Sequence, residues 1–180
     1  MGRGGGGMGR MMGMMGGGTG QGRWNLSVYH TLRFSDRVTI ATGGQQLDLL
    51  GGDSLSGGGV ARHALELEGG MFRKGFGLRL NGKWSAPTTL KANGAPGTSD
   101  LRFGSAFKLD VRIFANLGMQ KRLTDMSPFF KGMTLAFQFD NIFDSRQKVT
   151  DASGATPFSY LPDFLDPRGR MVGIDLRKTF

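Results

Sequence analysis

The sequence predicts an all-β chain: an antiparallel, up-and-down segment of a transmembrane β-barrel. Three observations predict it. Apolar and polar residues take turns in about six separate stretches, and a period of two gives each strand one oily and one wet face. The stretches at 23–34 and 101–117 reach or exceed the ~9–11 residues that cross a bilayer, whereas strands of soluble proteins cluster at ~5–6. The connectors run long (Ser35 to Val60), short (73–75), long (Ser85 to Ser99), intermediate (Gly118 to Gly132) and long (Asp144 to Gly169). Outer-membrane barrels show that asymmetry, with tight periplasmic turns and long external loops.

Residues 1–22 are low-complexity Gly and Met. Glycine backbones lose the most entropy on ordering, so a flexible segment is expected there. The barrel portion is expected over 23–180. In the first strand Trp24, Leu26, Val28, Leu32 and Phe34 share a face opposite Asn25, Ser27, Thr31 and Arg33. His30 interrupts the apolar row. The second sets Leu65, Leu67 and Met71 against Glu66 and Glu68. The third sets Phe76, Leu78, Leu80 and Trp84 against Arg79, Asn81 and Lys83. The fourth, read as one strand over 101–117, opposes Leu101, Phe103, Phe107, Leu109, Val111, Ile113 and Leu117 to Arg102, Lys108, Asp110, Arg112 and Asn116. Met133, Leu135, Phe137 and Phe139 carry the fifth, and Val172, Ile174, Leu176 and Phe180 the last, with Lys178 breaking the row. Between the fifth strand and the fourth, Thr124 or Ser127 is placed to cap a short helical turn that Pro128 would start. Trp24, Phe34, Phe76, Trp84, Phe103 and Phe180 lie near strand ends, where aromatic girdles meet the two membrane interfaces.

Composition narrows the alternatives. The chain has 180 residues, 38% hydrophobic, with 32 glycines and no cysteine, so disulfides and thiolate metal sites are excluded. No window holds the ~18 apolar residues of a spanning helix. The net charge of +9 suggests nucleic acid. Most cations, however, alternate singly along the strands rather than forming a run, which fits a wet strand face, so no nucleic-acid partner is expected.

A final strand of alternating apolar residues that ends in an aromatic resembles the signal read by the barrel-assembly machinery of Gram-negative outer membranes. Capture would proceed by strand addition at a free edge, and Val172, Ile174, Leu176 and Phe180 are its residues here. The segment from Thr134 to Phe180 goes further. Asn141, Ile142, Phe143 and Asp144, then a loop, then Pro167, Arg168 and Arg170 leading into the last strand, resemble the C-terminal end of TonB-dependent outer-membrane receptors. That resemblance implies a barrel of about 22 strands with a plugged lumen. It also implies uptake of a scarce ligand of siderophore, cobalamin or glycan type, energised by TonB through the plug. The C-terminus would be periplasmic and the partners outer-membrane lipid, the assembly machinery and the rest of barrel and plug. No plug, TonB-contacting segment or export signal is found in the sequence. Because a barrel needs at least ~8 strands, the chain is expected to be the C-terminal part of a longer receptor or a truncated gene product.

No enzyme chemistry is expected. His30 and His63 lack a neighbouring nucleophile, and the glycines around Ser54 lack the strand and helix of a nucleophile elbow. Asp48 and Asp53 fall short of a calcium loop and read as solvated acids. The Met8, Met11, Met12, Met14 and Met15 cluster has the thioethers for Cu(I) but reads as spacer, so no cofactor or metal is expected. Arg79, Lys83, Arg102, Lys108 and Arg112 form a candidate basic wall in the lumen, weakly suited to an anionic ligand. Two alternatives remain: an RNA-associated protein with a Gly/Arg tail and basic β domain, and a soluble secreted β-sandwich acting in adhesion.

Overall fold

The computed structural model describes residues 22–55, 57–92 and 98–180. The Gly/Met-rich segment, Met cluster included, lies outside the described residues except for Gly22. Six long strands form one antiparallel sheet in chain order: β1 (Arg23–Leu32), β4 (His63–Arg73), β5 (Phe76–Ser85), β8 (Ala106–Asn116), β9 (Met133–Asp140) and β11 (Met171–Lys178). The intervening loops carry β2 (Arg37–Thr39) paired with β3 (Gln46–Asp48), and a small sheet of β6 (Thr88–Leu90), β7 (Leu101–Phe103) and β10 (Val149–Thr150). The chain is thus mostly antiparallel β-sheet, as expected, and its large sheet is an up-and-down meander with β1 and β11 at the edges.

Register carries the alternation of single strands across the whole sheet. Trp24, Met71, Leu78, Ile113, Phe137 and Ile174 are successive partners in one row. Leu26, Gly69, Leu80, Val111, Phe139 and Val172 form the next on the same face. Most rows of the opposite face are polar or small, such as Asn25, Gly70, Arg79, Arg112, Gln138 and Gly173, with the stacked Phe72 and Phe114 the exception near the turn end. A one-residue slip at any strand would invert its faces, so the continuity of the rows fixes the pairing. The apolar face stays open: Ile174 is 71% exposed and Phe137 39%. The buried apolar side chains are few among the described residues, and Phe103 and Val149 among them lie in the loops rather than on this face.

The two ends of the sheet differ. At one, the turn end, Lys74 and Gly75 join β4 to β5 with φ of 49° and 87°, the type I′ turn that matches strand twist. A Cβ on Gly75 would lie 3.0 Å from Met119 Cβ and 3.1 Å from the Asn116 carbonyl oxygen, so space is tight at a position whose φ already favours glycine. The β8–β9 connector at this end holds α1 (Lys121–Met126) and a 3₁₀ turn, Pro128–Phe130. Ser127 caps that turn by accepting from Phe129 N–H at 3.2 Å, with Pro128 in its first position, as the sequence predicts. At the other, the loop end, stand the connectors 33–62, 86–105 and 141–170.

One strand differs from expectation. The stretch 101–117 breaks at Gly104 and Ser105, where Gly104 donates to Lys148 O at 2.7 Å and its carbonyl accepts from Gln147 Nε2 at 2.8 Å. Those bonds turn β7 away from the large sheet into the small one. Likewise β1 ends at Leu32 rather than Phe34.

Candidate functional site

The three long connectors converge at the loop end and lock together. Tyr160 Oη donates to Gly57 O at 3.1 Å, and Lys91 N donates to Gly52 O at 2.8 Å. The small sheet joins the second and third connectors through Phe103 opposite both Thr88 and Val149. Between them lies a cleft of about 560 Å³ lined by Gly57, Gly58, Gly59, Ser85, Thr88, Phe103, Gln147, Ser159, Tyr160 and Leu165, with Ala61 and Ala86. Phe103 and Tyr160 meet edge to face, 5.7 Å between centroids. The lining offers hydroxyls, one amide and aromatic surface, and no charged side chain. Such a cleft can hold a small polar ligand; it has no nucleophile–base pair.

The Asn141–Asp144 motif builds the corner under these loops. Asn141 is 4% exposed with φ of 49°, a left-handed position that asparagine tolerates better than most residues. Its amide closes the turn from both sides, donating to Ser145 O at 3.0 Å and accepting from Ser145 N–H at 2.9 Å. Asn141 N–H donates to Asp110 Oδ1 at 2.8 Å and Ile142 N–H to Leu109 O at 2.9 Å, which ties the corner to β8. Asp144 accepts from Arg170 N–H at 2.9 Å and lies 3.7 Å from Arg146 Nε, while Arg146 also pairs with Asp163. A single acid therefore joins the corner to the lead-in of the last strand. Phe143 is exposed beside Phe107, centroids 6.1 Å apart. Pro167 and Arg168 form the turn before Gly169, itself at φ 53° against Asp144.

Four members of the expected basic wall come together on the polar face. Arg79 is paired directly with Arg112, and Lys83 with Lys108. Like charges facing across strands repel, and acids relieve them: Arg112 bonds Asp175 at 3.0 Å, and Lys108 pairs with Asp166 of the third connector. The hydrogen bond from Lys108 holds the Asp166 carboxyl below its usual range. In the same connector Asp151 is lowered chiefly by its hydrogen bond from the Ser153 hydroxyl, 2.6 Å. With Glu66, Glu68, Asp110 and Asp140 on the same face, the wall is mixed rather than basic. Arg102 is not part of it: it sits in β7, opposite Thr89 and Thr150. Phe103 is likewise no girdle residue, since it is buried at 5% exposure.

Asp48 and Asp53 serve each other and the backbone. Asp48 caps a 3₁₀ turn through Gly51 N–H, and Asp53 accepts from Asp48 N–H at 2.7 Å. His30 and His63 meet across β1 and β4, with Nε2 and Nδ1 at 3.2 Å and ring planes within 4°. The signal for that contact was the parity of His30 on the apolar row and its place in the first hairpin. The cleft left weaker traces, a Gly57–Gly59 run and an aromatic in the third connector, because neither shows its partner in sequence.

Charge is polarised from end to end. The turn end carries Arg23, Arg73, Lys74, Lys121, Arg122, Lys131, Arg177 and Lys178 against two acids, Asp125 and, in the register row of Arg23, Asp175. The loop end balances nine cations with eight acids, and the strand interiors four with four. The excess that sequence spacing spread along wet strand faces is gathered instead at one rim. There Lys178 Nζ donates to Phe129 O and Lys131 O, both at 2.5 Å, and lies 5.2 and 5.4 Å from the centroids of Phe129 and Phe180. Val172, Ile174, Leu176 and Phe180, expected from the sequence to form an assembly signal, are all exposed.

Comparison with family models, with curated proteins and with solved structures returns no match.

Proposed function

We propose that the chain forms the C-terminal wall of a TonB-dependent outer-membrane receptor, taking up a scarce ligand of siderophore, cobalamin or glycan type. The observation that carries this is the pair of faces: rows of apolar residues and glycine run over all six strands and stay at least partly open, with Trp24, Met71, Ile113, Phe137 and Ile174 exposed, while mostly polar rows lie opposite. Such rows suit lipid on one side and a watery lumen on the other. A soluble sandwich needs a second sheet over the apolar face, and none covers it among the described residues. Phe76 and Trp84 lie eight residues apart on β5, about 27 Å of strand at ~3.4 Å per residue. At the ~35–45° tilt of outer-membrane strands that is about 20 Å of depth, near the ~25 Å apolar band. The Asn141–Asp144 corner and the exposed last strand fit the same family, and the neutral, hydroxyl-lined cleft is where an external ligand would first be met.

The chain has no cysteine of its own, so single cysteines report cleanly. In outer membranes, Cys at Leu80 or Val111 should react with a lipid-soluble maleimide and resist a charged one. Cys at Arg79 or Arg112 should do the reverse. Equal labelling of the two sets would refute the membrane assignment.

A further inference from the structure

We propose that the turn end is a docking rim for acidic phospholipid headgroups, an inference that rests on the membrane function proposed above. Eight cations stand against two acids there, Asp125 and Asp175, while the opposite end is nearly neutral. Exposed aromatics border the same rim: Trp24 is 76% exposed, Phe76 56% and Phe129 60%. Two of these, Trp24 and Phe76, belong to the apolar face, so oily and cationic surfaces meet along one line. That is the sequence of environments from acyl chain to headgroup, which aromatics and long cations bridge together. Nucleic acid would also answer the charge, but it would leave the adjoining apolar rows uncovered. Three of the cations, Lys121, Arg122 and Lys131, are exposed in the β8–β9 connector. They lie outside the sheet and can be changed without touching strand pairing. Attraction of this kind reaches about one Debye length, ~8 Å at physiological salt, so only the leaflet at the turn end would feel it.

The full chain would be refolded in the presence of vesicles of phosphatidylcholine alone and of phosphatidylcholine with phosphatidylglycerol, and its partitioning measured by flotation at low and high salt. The expected result is association with both through the apolar face, with at least about tenfold stronger partitioning onto the acidic vesicles, since each cation near an anionic surface contributes. Lys121→Gln/Arg122→Gln/Lys131→Gln should remove most of that preference and keep association with neutral vesicles. A loop-end control, Arg37→Gln/Lys148→Gln/Arg168→Gln, should leave it intact. Association with no preference for acidic lipid, or equal losses from both triple variants, would overturn the rim and spare the membrane assignment. Association with neither vesicle would overturn both. Salt-sensitive binding of a labelled RNA that the turn-end variant abolishes, with no acidic-lipid preference, would replace lipid by nucleic acid.

Discussion

Asn141 and Asp110 fasten β9 to β8 at the loop end, the backbone N–H of one donating to the carboxylate of the other at 2.8 Å. The bond sits where the chain leaves the sheet, so one residue both turns the backbone and anchors the turn. Asn141→Ala should destabilise the folded chain by about 2–3 kcal/mol, from a left-handed backbone without asparagine's tolerance and two lost side-chain bonds. Asn141→Gly should cost less, because it keeps the φ. Denaturant unfolding in detergent would check both, and equal costs would show that the conformation plays no part.

Neighbouring residues on β8 should respond oppositely to substitution. Leu109→Arg, on the apolar face, should cost ~2–4 kcal/mol in a bilayer-assembled barrel. Lys108→Ala removes a pair with Asp166 in which the lysine side chain is 47% exposed, and such surface pairs contribute ~0–1 kcal/mol. Matching losses measured by unfolding from lipid would overturn the face assignment.

Gly77 lies beneath the Phe114 ring, and a Cβ there would overlap it. Phe114 in turn stacks on Phe72 with 6.0 Å between centroids. Gly77→Ala should displace the ring and cost about 1–3 kcal/mol. In a Phe114→Ala background the same change should be nearly free. A double-mutant cycle reads this coupling directly; additive losses would show that the ring has room to move.

Acid should loosen the loop end through Asp166. Its carboxyl is depressed in the folded chain by the Lys108 hydrogen bond. The pair's contribution is therefore complete above the ordinary carboxylate value and disappears as pH falls through the lowered one. Limited proteolysis of the 141–170 connector should accelerate only in that strongly acid window. Asp166→Asn should remove this pH dependence and cleave faster at neutral pH; an unchanged acid profile in the variant would exclude Asp166 as its source.

Much of this architecture is legible in the sequence. Both faces of β5, the Ser127 and Pro128 start of the connector turn, and the gathering of three long connectors at one end follow from spacing. Arg102 and Phe103 show where it stops. Their parity continues the row of β8, yet the bonds from Gly104 to Lys148 and Gln147 turn them into another sheet. Those partners lie more than forty residues away, and no local pattern encodes them. The cleft was hidden for the same reason: Tyr160 and Gly57 meet across 103 residues.

By itself the sequence determined the six alternating strands, their faces and the unequal connectors. Successive side chains on an extended backbone must point to opposite sides, so parity is written locally. Only the tertiary structure decided which cations oppose one another, which acids relieve them, how the loops enclose a cleft and why the charge excess collects at one rim. Each of those depends on register between distant segments, which a single strand does not carry.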